Sequence, residues 1–235
     1  MTFHTEGSNN YSSHAGTRVI RFKLSSEGWL DPSTARFFFD IVHNDPDGGN
    51  KKLRPLAVHA FFRRLRATMR GVVIEDIADY NRVHEMFSVL QTTGARLNDQ
   101  GEGFGYGIDI TKMNTEKELP GITTFQTVCF KPLCGIFMQT KYIPLRYCPI
   151  EIELELADVL EPILTYATLP FTAENTSYNW KLENCMMKMD LCTLDNALDN
   201  NYTSHLLGGK SLNIVYNTFI SNIQTILSGD TQINV

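Results

Sequence analysis

The sequence predicts an all-β fold, an antiparallel two-sheet sandwich of about eight strands with two short helices in its connections. Three observations carry this. Fourteen phenylalanines and nine tyrosines in 235 residues favour pleated, half-buried surfaces. Period-two alternation recurs along the chain, most cleanly in Ile150-Glu-Ile-Glu-Leu-Glu-Leu156. Helical periodicity appears in only two passages, so strands do not alternate with helices as a parallel α/β sheet requires. The length suits one large domain or two small ones. Hydrophobic residues make up 43% and charged residues 20%, which argues against a disordered chain. Twenty-one basic residues against 26 acidic ones give a net charge of −5, against a dedicated nucleic-acid binder.

Val19–Leu24 alternates, with Ile20, Phe22 and Leu24 on one face and Arg21 and Lys23 on the other. Gly28–Pro32 breaks that strand, and Ala35–His43 forms the next. Residues 44–50 are a dense turn cluster. From Phe61 to Met69 the period is again two: Phe61, Leu65, Ala67 and Met69 share a face with Arg63, and Arg64, Arg66 and Arg70 share the other. Gly71 permits a tight reversal into Val72–Asp76, a β-hairpin. Tyr80, Val83, Met86, Phe87 and Leu90 then fall at helical spacing, with Asp76 or Asp79 as N-cap and Gly94 beyond the end. Residues 95–121 are glycine-rich and polar, a long loop. Thr123–Leu133 is a strand, and Gly135–Leu145 is irregular, with room for one helical turn. In Ile150–Leu156 a slip of one residue would bury Glu151, Glu153 and Glu155, so register is strongly specified. Residues 162–177 are a loop and Tyr178–Leu191 a strand. Asp195–Leu207 is a helix capped by Asp195 and stopped by Gly208-Gly209. Ser211–Ile226 is a final long strand. Phe22, Phe37, Phe39, Ile152, Leu154 and Trp180 are the expected core.

No motif builds a catalytic centre. Gly208-Gly209-Lys210-Ser211 lacks the earlier glycine of a phosphate-binding loop, since Ser204 stands there, and it follows a helix. The glycines of residues 101–107 fail the dinucleotide pattern at Tyr106. His84-Glu85 lacks a second zinc histidine, because position 88 is Ser88. Glu75, Asp76 and Asp79 are explained by capping and solvation. Cys148 or Cys192 would need His59 or His205 brought close by folding. His4 and His14 are too isolated for a metal site. The expectation is no enzyme: no catalytic residues, no cofactor and no metal. Arg63, Arg64, Arg66 and Arg70 form the one basic cluster. Weak contact with packaged nucleic acid is the sharp reading, and pairing with the Glu151/Glu153/Glu155 row is favoured.

The first seventeen residues are polar and unpatterned, so residues 1–17 are expected as a flexible arm without a secretory signal. No run approaches ~20 apolar residues, so no membrane span is expected. Five cysteines, Cys129, Cys134, Cys148, Cys185 and Cys192, lack paired spacing, which fits free thiols in a reducing compartment. The Asn-x-Ser/Thr triplets at Asn10, Asn175 and Asn201 are expected to stay unmodified.

The order of segments carries a resemblance. GWLDPSTARFFFDIVHND at 28–45 precedes LRPLAVHAFFRRLRATMRGVVIEDIADYNRVHEMF at 53–87. KPLCGIFMQTKYIPLRYCPIEIELEL at 131–156 and WKLENCMMKMDLCTLDNALDNNYTSHLLGGKSLNIVYNTFIS at 180–221 follow. From about residue 18 the chain resembles the first jelly roll of the double jelly-roll major capsid proteins of Polinton-like viruses and related DNA viruses. The resemblance implies an eight-stranded jelly roll over 18–226, with 227–235 a tail toward a second jelly roll. The passage 180–221 then resembles an insertion near the end of the first roll. It implies a virion capsid protein, made in the host cytoplasm or nucleus and not secreted. Its partners would be copies of itself in trimeric pseudo-hexameric capsomers, and neighbouring capsid proteins. Residues 95–121 and 44–50 would make lateral contacts, and the missing second roll would leave apolar surface exposed. Two other readings attach to jelly rolls. A carbohydrate- or ligand-binding module would use exposed rings such as Trp29 and Tyr106. A metal-dependent cupin-type enzyme would need converging histidines, for which His43 and His59 are the nearest approach.

Overall fold

The computed structural model describes residues 1–14, 16–43, 51–53, 58–104, 118–119, 125–165 and 179–223. The expected turn at 44–50, Tyr106, most of the 105–121 passage, residues 166–178 and the 227–235 tail lie outside these.

Two antiparallel sheets face each other. The first contains β1 (Thr2–His4), β2 (Asn10–Tyr11), β4 (Trp29–His43), β9 (Phe125–Phe130), β10 (Ile143–Pro144) and β13 (Trp180–Cys192). The second contains β3 (Val19–Leu24), β6 (Phe62–Met69), β7 (Val72–Ile77) and β11 (Ile150–Leu156), in the order β3-β11-β6-β7. A small third sheet joins β12 (Ile163–Thr165), β5 (Lys51–Leu53) and β8 (Glu118–Leu119). The two main sheets thus hold ten strand segments among the described residues, where eight were expected. The difference is subdivision. β1 and β2 both lie along β13, and β9 and β10 both lie along β4. Eight strand positions remain. The first pairs with the eighth, the second with the seventh (β3·β11), the third with the sixth (β4·β9) and the fourth with the fifth (β6·β7). That nested pairing is an antiparallel hairpin rolled up on itself, a jelly roll.

The first position corrects an expectation. The supposed mobile arm supplies it: Thr2–His4 pairs with Met186–Lys188, and Phe3 and Tyr11 are buried. A mostly polar segment becomes a strand because β13 presents a free edge and two aromatic anchors reach the core. Among the described residues the jelly-roll strands therefore begin at residue 2 and end at residue 192.

The expected core is correct: Phe22, Phe37, Phe39, Ile152, Leu154 and Trp180 are all buried. Phe39 meets Phe62 edge-on with ring centroids at 5.4 Å, and Trp180 packs on Phe61 at 5.0 Å while donating its Nε1–H to the Val159 carbonyl. In β11 the isoleucines and leucines are buried and the glutamates face out, as the alternation requires. The hairpin turn has Arg70 at φ 51° and Gly71 at φ 80°, a turn of the primed kind that matches strand twist.

Several local readings change. β4 begins at Trp29 and runs through Pro32, although a break was expected there. The β13 register shifts between Lys188 and Asp190, and the Thr34 hydroxyl accepts the Asp190 N–H at 2.9 Å. Proline is tolerated at such an irregularity because the ladder is already interrupted. In β6 the buried parity changes. Phe61 closes a 3-10 turn (Val58–Phe61), and Phe62 starts the strand. Glu155 pairs with Arg64 and Leu156 with Phe62, so Arg63 is the extra residue of a bulge and points outward.

Four helices occur among the described residues, not two. α1 (Tyr80–Leu90) is as expected, with Asp79 at the N-cap, but Asp79 adopts φ 47° and makes no side-chain cap. Gly94 does not end a helix. It lies within α2 (Thr93–Phe104), whose backbone replaces the start of the expected loop, and Thr92 Oγ1 accepts the Ala95 N–H at 3.4 Å. α3 (Gly135–Met138) is the anticipated single turn. α4 (Asn196–Leu207) is capped by Asp195, whose Oδ2 accepts the Ala197 N–H at 3.1 Å. After it, residues 211–223 do not form the expected strand. Their inside–outside alternation is present, but they join no sheet.

Candidate assembly surface

A two-sheet sandwich has two open sides. Here one is stitched by backbone: Thr5 bridges to Phe22, and the Glu6 N–H donates to the Arg21 carbonyl at 3.0 Å. On the other side β7 is the edge of one sheet, and β9 and β10 form the edge of the other. Three elements close it: α1, α3 and the strap of residues 211–223.

Glu75 fixes α3 there. It lies buried on β7 and accepts the Gly135 N–H at 2.8 Å, the Ile136 N–H at 3.4 Å and the Cys134 thiol proton. A carboxylate two strands away in sequence thus satisfies the orphan donors of a helix start. Burial and the Glu75 charge push the Cys134 thiol well up, leaving it a packing group. The strap lies so close to α3 that a Cβ on Gly135 would collide with the Asn217 carbonyl. Tyr216 donates its hydroxyl to the Ile74 carbonyl at 3.3 Å, and Ser221 donates to the Ala78 carbonyl at 2.6 Å. The strap therefore follows β7 in the same direction, its hydroxyls bonding the carbonyls of Ile74 and of Ala78 just beyond the strand. Phe219 meets Phe87 of α1 at 4.8 Å.

The inward strap residues Ile214, Tyr216 and Phe219 pack on the core, whereas Val215 and Ile220 are 83% and 90% exposed. On α1, Met86, Val89 and Leu90 are exposed too, although helical spacing put Met86 and Leu90 among the buried positions. Val72 and Val73 add to this on β7. Three elements meeting at one seam carry eight of the fourteen large exposed apolar side chains among the described residues, an arrangement typical of interaction surfaces. The helical period exposes a candidate face but cannot say which neighbours cover it, so this surface was missed.

Three of the four arginines of the basic cluster, Arg63, Arg64 and Arg66, are paired with carboxylates. Arg64 makes a two-pronged pair with Asp76, both contacts at 2.6 Å, raising the guanidinium pKa and lowering that of the carboxyl. Arg21 and Arg66 flank Glu153 at 2.7 and 3.4 Å, and Arg18 and Arg63 reach Asp158 at 3.1 and 3.7 Å. The favoured pairing with the glutamate row holds for Glu153. Asp76 and Asp158 are further partners that only the folded arrangement reveals.

The remaining candidates scatter. His59 stacks on His84 with centroids at 4.0 Å, and its Nε2 lies 3.1 Å from Glu85. Burial drives both imidazoles down to about 3. His205 is exposed at the end of α4, Cys148 is half-buried, and the Cys192 thiol contacts the Thr193 carbonyl at 3.9 Å. The structure brings neither thiol to a histidine among the described residues. All five cysteines are free thiols, as expected. The His43 side chain and Tyr106 lie outside the described residues. Trp29 is buried against Tyr202 at 4.7 Å, so it does not present the ring that a sugar-binding reading requires. No helix among the described residues is long and apolar enough to cross a membrane.

No family model matches the chain, and no curated protein matches it. Solved structures do. PBCV-1 VP54, fitted into a cryo-EM reconstruction of the virophage Sputnik, aligns at 12% identity over 86% of this chain and 43% of that one, with a TM-score of 0.45. A chain of the PBCV-1 virus capsid, a quasi-atomic structure, aligns at 13% identity over the same shares, with a TM-score of 0.48. This chain spans less than half the length of either.

Proposed function

We propose that this chain is a structural capsid protein, a jelly-roll unit that assembles with copies of itself into trimeric capsomers of an icosahedral shell. The observation that carries the reading is the apolar row on the strap, α1 and β7. It lies outside a jelly roll whose strand positions are already complete, so it serves contacts beyond this fold. The segment-order resemblance to double jelly-roll capsid proteins points the same way. In this reading the rigid sheets set the wall, and burial of the seam against a neighbouring jelly roll drives association. An obligate interface of this kind typically buries more than about 2,000 Å². The salt-bridged outer face of the β3-β11-β6-β7 sheet is laced internally and does not grip nucleic acid strongly. The protein then resides in the virion shell.

Light scattering after size-exclusion chromatography tests this. Discrete trimers or larger closed assemblies are expected, and Val215→Asp/Ile220→Asp should dissociate them while preserving the circular dichroism of the fold. Assemblies indifferent to that double change would sink the reading.

A further inference from the structure

Beneath the root of the strap lies a cavity of about 470 Å³. Its walls come from the β6–β7 hairpin, α3, β10, α4 and the strap, with Ile74, Ile136, Leu206 and Ile214 among the apolar lining. The volume falls within the ~300–1,000 Å³ typical of small-molecule sites. Two of its lining residues are charged, Arg70 and Lys210, and no lining residue is acidic. Both are exposed, so they stand at the mouth rather than on the floor. Among the described residues neither has an ion-pair partner, whereas Arg18, Arg21, Arg63, Arg64, Arg66, Arg82 and Arg146 all do. An apolar chamber with an unneutralised cationic mouth, in a protein of net charge −5, is selective for one kind of guest.

We propose that this cavity binds a single-chain amphiphile with an anionic head group, of the fatty-acid class. The hydrocarbon chain occupies the floor under the strap, and the head group meets Arg70 and Lys210. α4 contributes Leu206 to the wall and has few ties to the body: none of its residues is fully buried, and its side-chain anchors include the Tyr147–Thr203 hydroxyl pair at 2.7 Å, the Trp29–Tyr202 contact and the Arg146–Asp199 pair at 3.8 Å.

The test is fluorescence titration of the full chain with cis-parinaric acid, followed by displacement with saturated fatty acids below their micelle concentrations. One-to-one saturable binding is expected, and each added methylene up to the chamber's length should tighten displacement by roughly fourfold. Dodecanol should displace about tenfold less well than dodecanoate, because it forfeits the charged contacts. Arg70→Glu/Lys210→Glu should weaken the acid by about tenfold or more and leave the alcohol unchanged. Leu206→Trp narrows the chamber from α4, where no residue is fully buried, so the fold survives and binding of the longest chains should weaken. The proposal is overturned by absence of saturable binding, by binding only to micelles or anionic vesicles, or by acid affinity that neither variant alters.

Discussion

Mild acid should destabilise this fold through its buried histidine stack. His59 is 3% exposed between the 3-10 turn and α1, stacked on His84, which also faces Tyr80 and Phe130. The charged groups around the pair are Glu85 on α1, 3.1 Å from His59, and Arg96 of α2, which acts on Glu85. The His84 ring nitrogen lies 3.3 Å from the Lys131 carbonyl. Folding holds the His59 imidazole near 3 against an ordinary 6.5, chiefly by desolvation. Above pH 6.5 the folded and unfolded states are both neutral there and nothing is lost. Between 6.5 and 3 the unfolded state takes up the proton and the folded state does not, so stability falls with pH. At about pH 5 this is roughly 1.5 pH units, or about 2 kcal/mol for His59. His84 is only partly buried and adds less, so the pair removes roughly 2–4 kcal/mol from a typical total of 5–15. Glu85, pushed up by desolvation, opposes the loss as it gains its own proton. Urea denaturation at pH 7 and pH 5 reads the effect, and His59→Phe should shrink the drop by about 2 kcal/mol while keeping the ring stack. Equal midpoints at the two pH values in the unmodified chain, with unchanged slopes, would refute the reasoning.

Phe3→Ala should cost about 3 kcal/mol in urea titrations, as for a core aromatic; a negligible change would mean that the N-terminal segment is a dangling arm after all. Gly135→Ala should destabilise by about 1–3 kcal/mol because the methyl group meets Glu75, Tyr216 and the strap backbone. The strap should also become cleavable by trypsin after Lys210, so unchanged proteolysis counts against its position over α3. Glu75→Ala should cost about 1–3 kcal/mol by stranding the buried Gly135 and Ile136 N–H groups, and faster amide exchange confined to residues 134–138 is the check. A double-mutant cycle on Arg64 and Asp76 should return no more than about 1 kcal/mol, since both side chains are over a third exposed. A coupling above that would show that the outer sheet face is drier than its exposure implies.

Sequence alone was enough wherever one strand's own alternation decides its fate. Ile150–Leu156 and Val19–Leu24 each have a wet face and a dry face, so register and burial follow from period two, and the core aromatics follow with them. The Arg70-Gly71 reversal and the Asp195 cap are equally local, because backbone sterics and one short hydrogen bond fix them. Where a segment's state depends on what lies beside it, only the tertiary structure decided. Thr2–His4 is a strand because the edge of β13 is free, and the Ser211–Ser221 stretch is not one although its alternation is as good. Arg63 faces outward because a bulge inserts one residue into the count, which reverses parity without changing any letter of the sequence. The same holds for the candidate surface and the cavity. Glu75 beneath α3, Asp158 between two arginines, and Arg70 and Lys210 on one cavity come together only through long-range packing. Burial at a seam is a property of two elements at once, and the residues of either one carry only half of it.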